Sequence, residues 1–422
     1  MERSGKKILA NVEWKVVIAF LFLVFVGWLN IYAAVYDGEH SNIFDMSCRY
    51  GKQMMWIGAA LVIALFVMVT DPKFFSQTSY IVYLICIAML FVVLIMGSVT
   101  KGAKSWLGIG EFGIQPSEFA KLGTALALSK LLSAINVDMK ELKTKLTAIG
   151  IVLLPMALVL LQNDTGSALV YCSFVFVLFR EGLSSYVLIF GVSAIILFVL
   201  ALIINPYLLI GILSGATLIL YFILHRRNRS VKFIYFLGII AFCSIVILGV
   251  DFAYNDVLGS HQRERIEVLL GQKQDFKGAG YNVNQSKIAI GSGGFFGKGF
   301  LEGTQTKFNF VPEQDTDFIF CTVGEEWGFV GSIILVFVYV WLCVKLIKMA
   351  ERQRSNFARL YGYSIAGIIF FHFFVNIGMT IGLLPVIGIP LPFLSYGGSS
   401  LWAFTLMLFI FIRQDAARGE LI

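Results

Sequence analysis

Two carboxylates, Asp315 and Asp317, stand in the run Val311–Phe320, where a polar segment gives way to an apolar one. A carboxylate held at a membrane edge can take a proton from a hydroxyl nucleophile. Asp317 also has a plainer use, because aspartate is a favoured N-cap and an acid suits a helix N-terminus. Glu118 and Lys121, three residues apart, share a helix face and can pair. A lysine one turn inside an apolar helix is costly, so it needs a partner or a task. Glu325 and Glu326 lie within the apolar run after Asp317 and raise the same question, with Lys121 as a candidate partner. Asp164, in Asn163–Gly166, reads first as part of a tight turn, with its charge available to a cavity. Ser399 and Ser400 follow Gly397 and Gly398 at a helix start, where hydroxyls and N–H groups make a seat for an anion.

The elements that must hold these groups are helices in a membrane. Of 422 residues, 58% are hydrophobic and 14% charged, and the apolar ones come in blocks of about 20, enough to cross a bilayer. The composition predicts an all-α polytopic membrane protein of about 12 transmembrane helices. Most of the Lys and Arg fall on the side that carries both termini, which makes the chain N-in/C-in. The net charge of +7 follows from that rule and does not call for nucleic acid. The cysteines show neither a disulfide framework nor a metal spacing. The whole of 1–422 reads as a single integral-membrane domain.

The same topology sends 99–118, 162–166, the large loop 251–317 and 382–398 outward, and these hold nearly all the unusual chemistry. Gly382–Ser400 is an apolar stretch interrupted by Pro and Gly, and such backbone is tolerated at membrane depth only inside protein or beside a cavity. Gln285 opens a run that ends in the glycine-rich Gly291–Gly299. That run fails as a nucleotide loop, because Ser292 and Gly299 replace the required Gly and Ser/Thr. What remains is bent backbone whose amides can meet a phosphate.

In this order, Gln115–Lys121, Gln285–Gly299, Gly303–Glu326 and Gly382–Ser400 resemble the SEDS family of shape, elongation, division and sporulation proteins, and its elongation branch in particular. The resemblance spans residues 16–182 and 232–413. Two features depart from the family pattern. An extra apolar pair at 186–224 precedes the large loop and reads as a hairpin peripheral to the site. Asp315 stands where many relatives carry His, which leaves its role open.

The resemblance implies a peptidoglycan glycosyltransferase that polymerises lipid II with inversion, undecaprenyl pyrophosphate leaving, in the service of cell elongation and rod shape. It implies a multi-pass protein of the bacterial cytoplasmic membrane with its site facing outward. Partners would be lipid II, the nascent glycan chain, a class B penicillin-binding protein and other membrane proteins of the elongation complex. Asp317 matches the essential acid. Glu118, Lys121, Asp164, Gln285, Glu326, Ser399 and Ser400 match positions around the cavity. No tightly bound cofactor is expected, and magnesium or manganese would be an optional aid to the pyrophosphate. Two other readings compete. A lipid II flippase should show polar groups along a whole path and often an inverted repeat, whereas here the chemistry sits on one face. A non-catalytic scaffold leaves the intramembrane charges unexplained.

Overall fold

The computed structural model describes residues 11–36, 44–100, 103–109, 112–135, 137–227, 229, 232–257, 263, 267 and 279–419. Much of the expected 251–317 loop, namely 258–262, 264–266 and 268–278, lies outside the described residues. The chain packs as two compact units, Met1–Leu183 with Tyr281–Ile422, and Ser184–Gly280.

The first unit begins with α1 Trp14–Val35, α2 Arg49–Val69, α3 Pro72–Met96, α4 Pro116–Leu132, α5 Leu142–Leu161 and α6 Thr165–Arg180. The second holds α7 Ser185–Ile203, α8 Pro206–Arg227 and α9 Phe233–Phe252. Then come α10 Ala279–Ser292, α11 Ile319–Glu351, α12 Asn356–Thr380 and α13 Gly398–Ala416. Among the described residues nine helices are long and apolar enough to cross a membrane. With α4, α6 and α13 these make up the twelve helices expected from the apolar runs. The protein is a polytopic helical membrane protein.

Two stretches expected as plain loop are not: the 14-residue α10 stands inside the expected 251–317 loop, and the connection from α3 to α4 carries strands. The strands β1 Ser98–Thr100, β2 Ala103–Ile109 and β3 Phe112–Ile114 form a small antiparallel sheet. It delivers the chain to α4 with Pro116 at the first helical turn, where a missing N–H costs nothing.

In the second unit, α7, α8 and α9 share a core of Leu197, Ala201, Leu209 and Ile247, with Phe190 edge-on to Phe242 at 4.8 Å. The added pair is therefore not a self-contained hairpin, because it covers the apolar face of α9.

In the first unit, Glu13 pairs with Lys345 at 3.1 Å and with Arg352 at 2.9 Å. Arg352 also bonds Asp415 Oδ1 at 2.9 Å. The start of α1 thus meets the ends of α11 and α13 at one end of the bundle, as an even number of crossings requires.

Helix α11 is broken inside. Gly328 has φ +65° and ψ −159°, a left-handed φ that favours glycine, and the backbone groups freed there need other partners. The glycine-rich run supplies them. The Lys298 and Gly299 amides donate to Glu325 O and Glu326 O, both at 3.0 Å. In return Gly294 O and Phe295 O accept from the Phe329 and Val330 amides at 3.0 and 3.1 Å. These Lys298 and Gly299 amides are therefore committed to α11 and are not open to a phosphate.

A methyl group on Gly297 would stand 2.1 Å from Glu326 O, at a φ of +82°, whereas one on Gly291 would meet nothing within 4 Å. Gly297→Ala should therefore unseat the break and cost more than about 1–3 kcal/mol, the range for strained or overpacked positions. Gly291→Ala, inside α10, should be neutral or stabilising by up to about 1 kcal/mol. Melting temperatures of the two purified variants measure the contrast.

Candidate active site

The site is built where two irregular stretches lie against each other, Val311–Phe318 and Ile381–Gly397. Neither has a helical ladder for its backbone groups, so each serves the other. Asp315 O accepts from the Tyr396 amide at 2.8 Å, and Thr316 O accepts from Ser395 Oγ at 2.7 Å. Asn376 Nδ2, on α12, donates both to Asp317 O at 2.8 Å and to Ile389 O at 2.7 Å. A methyl group placed on Gly388 would lie 3.4 Å from Asp317 Oδ2, so the carboxylate looks across this short piece of chain. Phe393 holds the far end of that piece. At φ +68° it takes a backbone angle that bulky residues rarely adopt. Its buried ring packs against Phe20 at 5.2 Å and Phe404 at 5.8 Å.

Asp317 is not the N-cap of α11. The helix begins at Ile319 and its N-cap position is Phe318, whose side chain makes no capping bond. Capping by Asp317, the plainer reading of the sequence, is not what this geometry shows. Asp315 has a structural role. Its buried carboxylate takes a two-pronged bond from Arg49 Nη1, at 2.9 and 2.8 Å, and the guanidinium lies 5.9 Å from the Tyr396 ring.

Behind the irregular segment lies the second group. Lys121 Nζ donates to Glu118 Oε1 at 2.8 Å and to His372 Nε2 at 2.9 Å. That contact leaves the proton on His372 Nδ1, which donates to Pro390 O at 3.0 Å. Lys121 is 0% exposed, enclosed by its two partners and by the Phe404 ring at 5.5 Å. A continuous polar relay therefore runs from Glu118 through Lys121 and His372 to the 389–390 backbone, and through Asn376 to Asp317.

Sequence reasoning missed His372 and Asn376. The signal was available: they are polar, four apart, and so on one face of an otherwise apolar helix.

Other expected residues have different duties. Asp164 caps α6 by accepting from the Ser167 amide at 3.0 Å. Its second oxygen accepts from Gln115 Nε2 at 3.1 Å and Ser117 Oγ at 3.4 Å. Ser399 Oγ accepts from the Gln115 amide and donates to Gly113 O, both at 3.2 Å. It fastens the start of α13 to the start of α4 instead of facing an open cavity. Ser400 beside it is half-buried. Gln285 is half-buried on α10, the helix whose Ala289 packs with Val311 and Phe318.

Glu325 and Glu326 do not meet Lys121. Glu325 accepts from Lys298 Nζ at 2.6 Å and from the Gln305 and Thr306 amides at 2.9 Å. Glu326 Oε1 accepts from the Leu301 amide at 3.2 Å. Both carboxylates sit at the break in α11 and hold the Lys298–Lys307 loop down. The partner expected from sequence was wrong because Lys121 was already matched by residues of α4 and α12.

The chain matches the family model FTSW_RODA_SPOVE, described as cell cycle protein, over residues 13–214 and 194–418. It belongs to the SEDS family. The two matched stretches overlap over residues 194–214, within the apolar pair at 186–224. Among its relatives, it is 34% identical to the peptidoglycan glycosyltransferase RodA of Treponema pallidum, covering 93% of this chain and 95% of that one. It is 36% identical to the peptidoglycan glycosyltransferase MrdB of Escherichia coli, covering 88% and 86%. In structure it resembles a chain of a peptidoglycan synthase complex that coordinates polymerization and crosslinking. There the TM-score is 0.72 at 26% identity, over 96% of this chain and 98% of that one.

Lys121→Met removes the buried ammonium and strands Glu118, whose Oε2 already lacks a hydrogen-bond partner among the described residues. Stranding a buried charge costs about 3–5 kcal/mol. Lys143 is exposed, and losing its charge should cost about 0–1 kcal/mol. Denaturation of Lys121→Met and Lys143→Met in one detergent should show that gap. Lys104 would make a poor control, since its Nζ binds Leu94 O and Ile95 O at 2.9 Å and closes the end of α3.

Proposed function

We propose that this chain is a peptidoglycan glycosyltransferase that builds glycan strands from lipid II for cell elongation, with Asp317 as its general base. The observation that carries the assignment is the position of Asp317. Its carboxylate faces the Gly388 backbone in a seam of two irregular stretches, and its own carbonyl is pinned by Asn376. The family and its peptidoglycan glycosyltransferase members set the reaction class.

Asp317 takes the proton of the acceptor 4-hydroxyl as that oxygen attacks the anomeric carbon of the donor sugar, and the bond to undecaprenyl pyrophosphate breaks. One in-line displacement inverts the centre. Lys121 acts from behind as a positioning residue, because its charge is spent on Glu118 and on His372. Lys287, exposed on α10 beside Gly382, offers an ammonium to the departing pyrophosphate.

Among the described residues no three His, Cys, Asp or Glu side chains gather to hold a metal ion, and no step here runs through one. Magnesium or manganese carried in with the pyrophosphate belongs to the proposal, and a chelator titration addresses it. The charge pattern supports N-in/C-in insertion in the bacterial cytoplasmic membrane with Asp317 on the outer side. The likeness to a chain of a synthase complex supports a class B penicillin-binding protein as partner, working beside other elongation proteins.

Asp317→Asn keeps shape and polarity but cannot take a proton. Glycan synthesis from purified lipid II should fall about 10²–10⁴-fold, with the melting temperature unchanged. Asp315→Asn should do the reverse, losing stability with the Arg49 pair while folded protein keeps measurable synthesis. Near-normal glycan ladders from Asp317→Asn would remove it as the base.

A further inference from the structure

Away from Asp317, at the end of the bundle where α3 and α12 begin and α4 and α13 finish, lies a cavity of about 260 Å³. Lys73 and Lys130 stand on its wall with Ser76 and Ser355, and no carboxylate lines it. Lys130 Nζ reaches Ser76 Oγ at 3.3 Å, and Lys73 is exposed. Asp71, next to the mouth, is turned to its own helix, accepting from the Lys73 amide at 2.8 Å.

Two independent features point to a ligand. Phe357 and Ala358, in the first turn of the 25-residue α12, line the cavity, and the N-cap Ser355 makes no side-chain bond to that turn. An uncapped helix start presents N–H groups and partial positive charge to an anion. Gln414 also lines the cavity and is 2% exposed. Neither its side-chain oxygen nor its nitrogen has a partner among the described residues. A buried amide left wholly unsatisfied is rare in a native fold and asks for an explanation such as a bound group.

We propose that this pocket binds a net-anionic phosphate-bearing group. Two ammonium groups and an uncapped helix start balance its charge, and the Gln414 amide donates to it. Pro72, Phe357 and Ala358 give the pocket an apolar side, which suits an ester-linked carbon skeleton. Basic pockets between helices at a membrane surface hold acidic lipid headgroups in the same way. The same chemistry could arrive as a soluble phosphate, and the experiment separates the two sources.

The test uses the full-length chain in neutral detergent, titrated separately with short-chain phosphatidylglycerol, short-chain phosphatidylcholine and inorganic phosphate. Binding is read by native mass spectrometry and melting temperature. Each lysine near an anion is worth about a factor of five, so Lys73→Gln with Lys130→Gln should weaken binding about thirty-fold. Lys73→Gln alone, at an exposed position, should show about a five-fold loss in folded protein. Gln414→Met should also weaken binding while leaving the anion-free melting temperature undiminished. Exposed Lys140→Gln with Lys143→Gln should change nothing. Phosphatidylglycerol binding without phosphate binding identifies a lipid headgroup, and binding of both identifies a general phosphate site. The proposal is overturned if neither anion binds, if phosphatidylcholine binds as well as phosphatidylglycerol, or if the Lys73 and Lys130 variants bind like wild type.

Discussion

A fully buried ammonium has to be matched where it sits, and the centre of this bundle is arranged around that demand. Lys121 takes a carboxylate from its own helix and an imidazole from α12. Losing a buried charge partner costs about 3–5 kcal/mol, against about 1 kcal/mol for an ordinary hydrogen bond. The ion pair therefore decides and the neutral contacts follow. With Lys121 on Nε2, His372 can donate only from Nδ1, and that donor is spent on Pro390 O. One helical turn further on, Asn376 ties Ile389 O to Asp317 O. A charge enclosed in the bundle thus sets where a carboxylate at its edge can stand.

The same economy of partners explains the irregular backbone. Regular helices satisfy their own polar groups, and a break at membrane depth cannot rely on water. Here each break is mated to another. Gly294–Gly299 meets the break in α11 at Gly328, and Asp315–Thr316 meets Ser395–Tyr396. The glycines at 293 and 297 are needed because the facing backbone comes too close for a Cβ. Glu325, read from the chain as a charge lost in an apolar helix, proves to lie at such a break, where loop amides and Lys298 neutralise it.

What could be read from the chain follows from the range of the forces involved. Hydropathy over about 20 residues fixes a membrane helix locally, and each predicted run is helical. The Glu118–Lys121 pair was legible because its spacing is local too. The small sheet of β1, β2 and β3 was not, since short strands in a polar connector leave little periodicity. Partners drawn from distant helices were also out of reach. Nothing along the chain joins Arg49 to Asp315, Lys298 to Glu325 or Lys121 to His372, and so Glu325 was given the wrong lysine and Glu326 one that it does not meet. The apolar pair at 186–224 stood out by length, but its shared core with α9 is a packing fact that hydropathy does not carry.

The coupling of the relay to catalysis is tested most directly by a double-mutant cycle on α12. His372→Phe removes the contacts to Lys121 and Pro390 O, and Asn376→Leu removes those to Ile389 O and Asp317 O, each at similar volume. The quantity to measure is the initial rate of glycan synthesis from lipid II, at matched amounts of folded protein. If both residues hold one segment in place for Asp317, each single change lowers the rate. The double change then loses less than the product of the two, with a coupling of about 0.5–3 kcal/mol. Wild-type rates from the single variants, or losses that simply multiply, would contradict a shared relay.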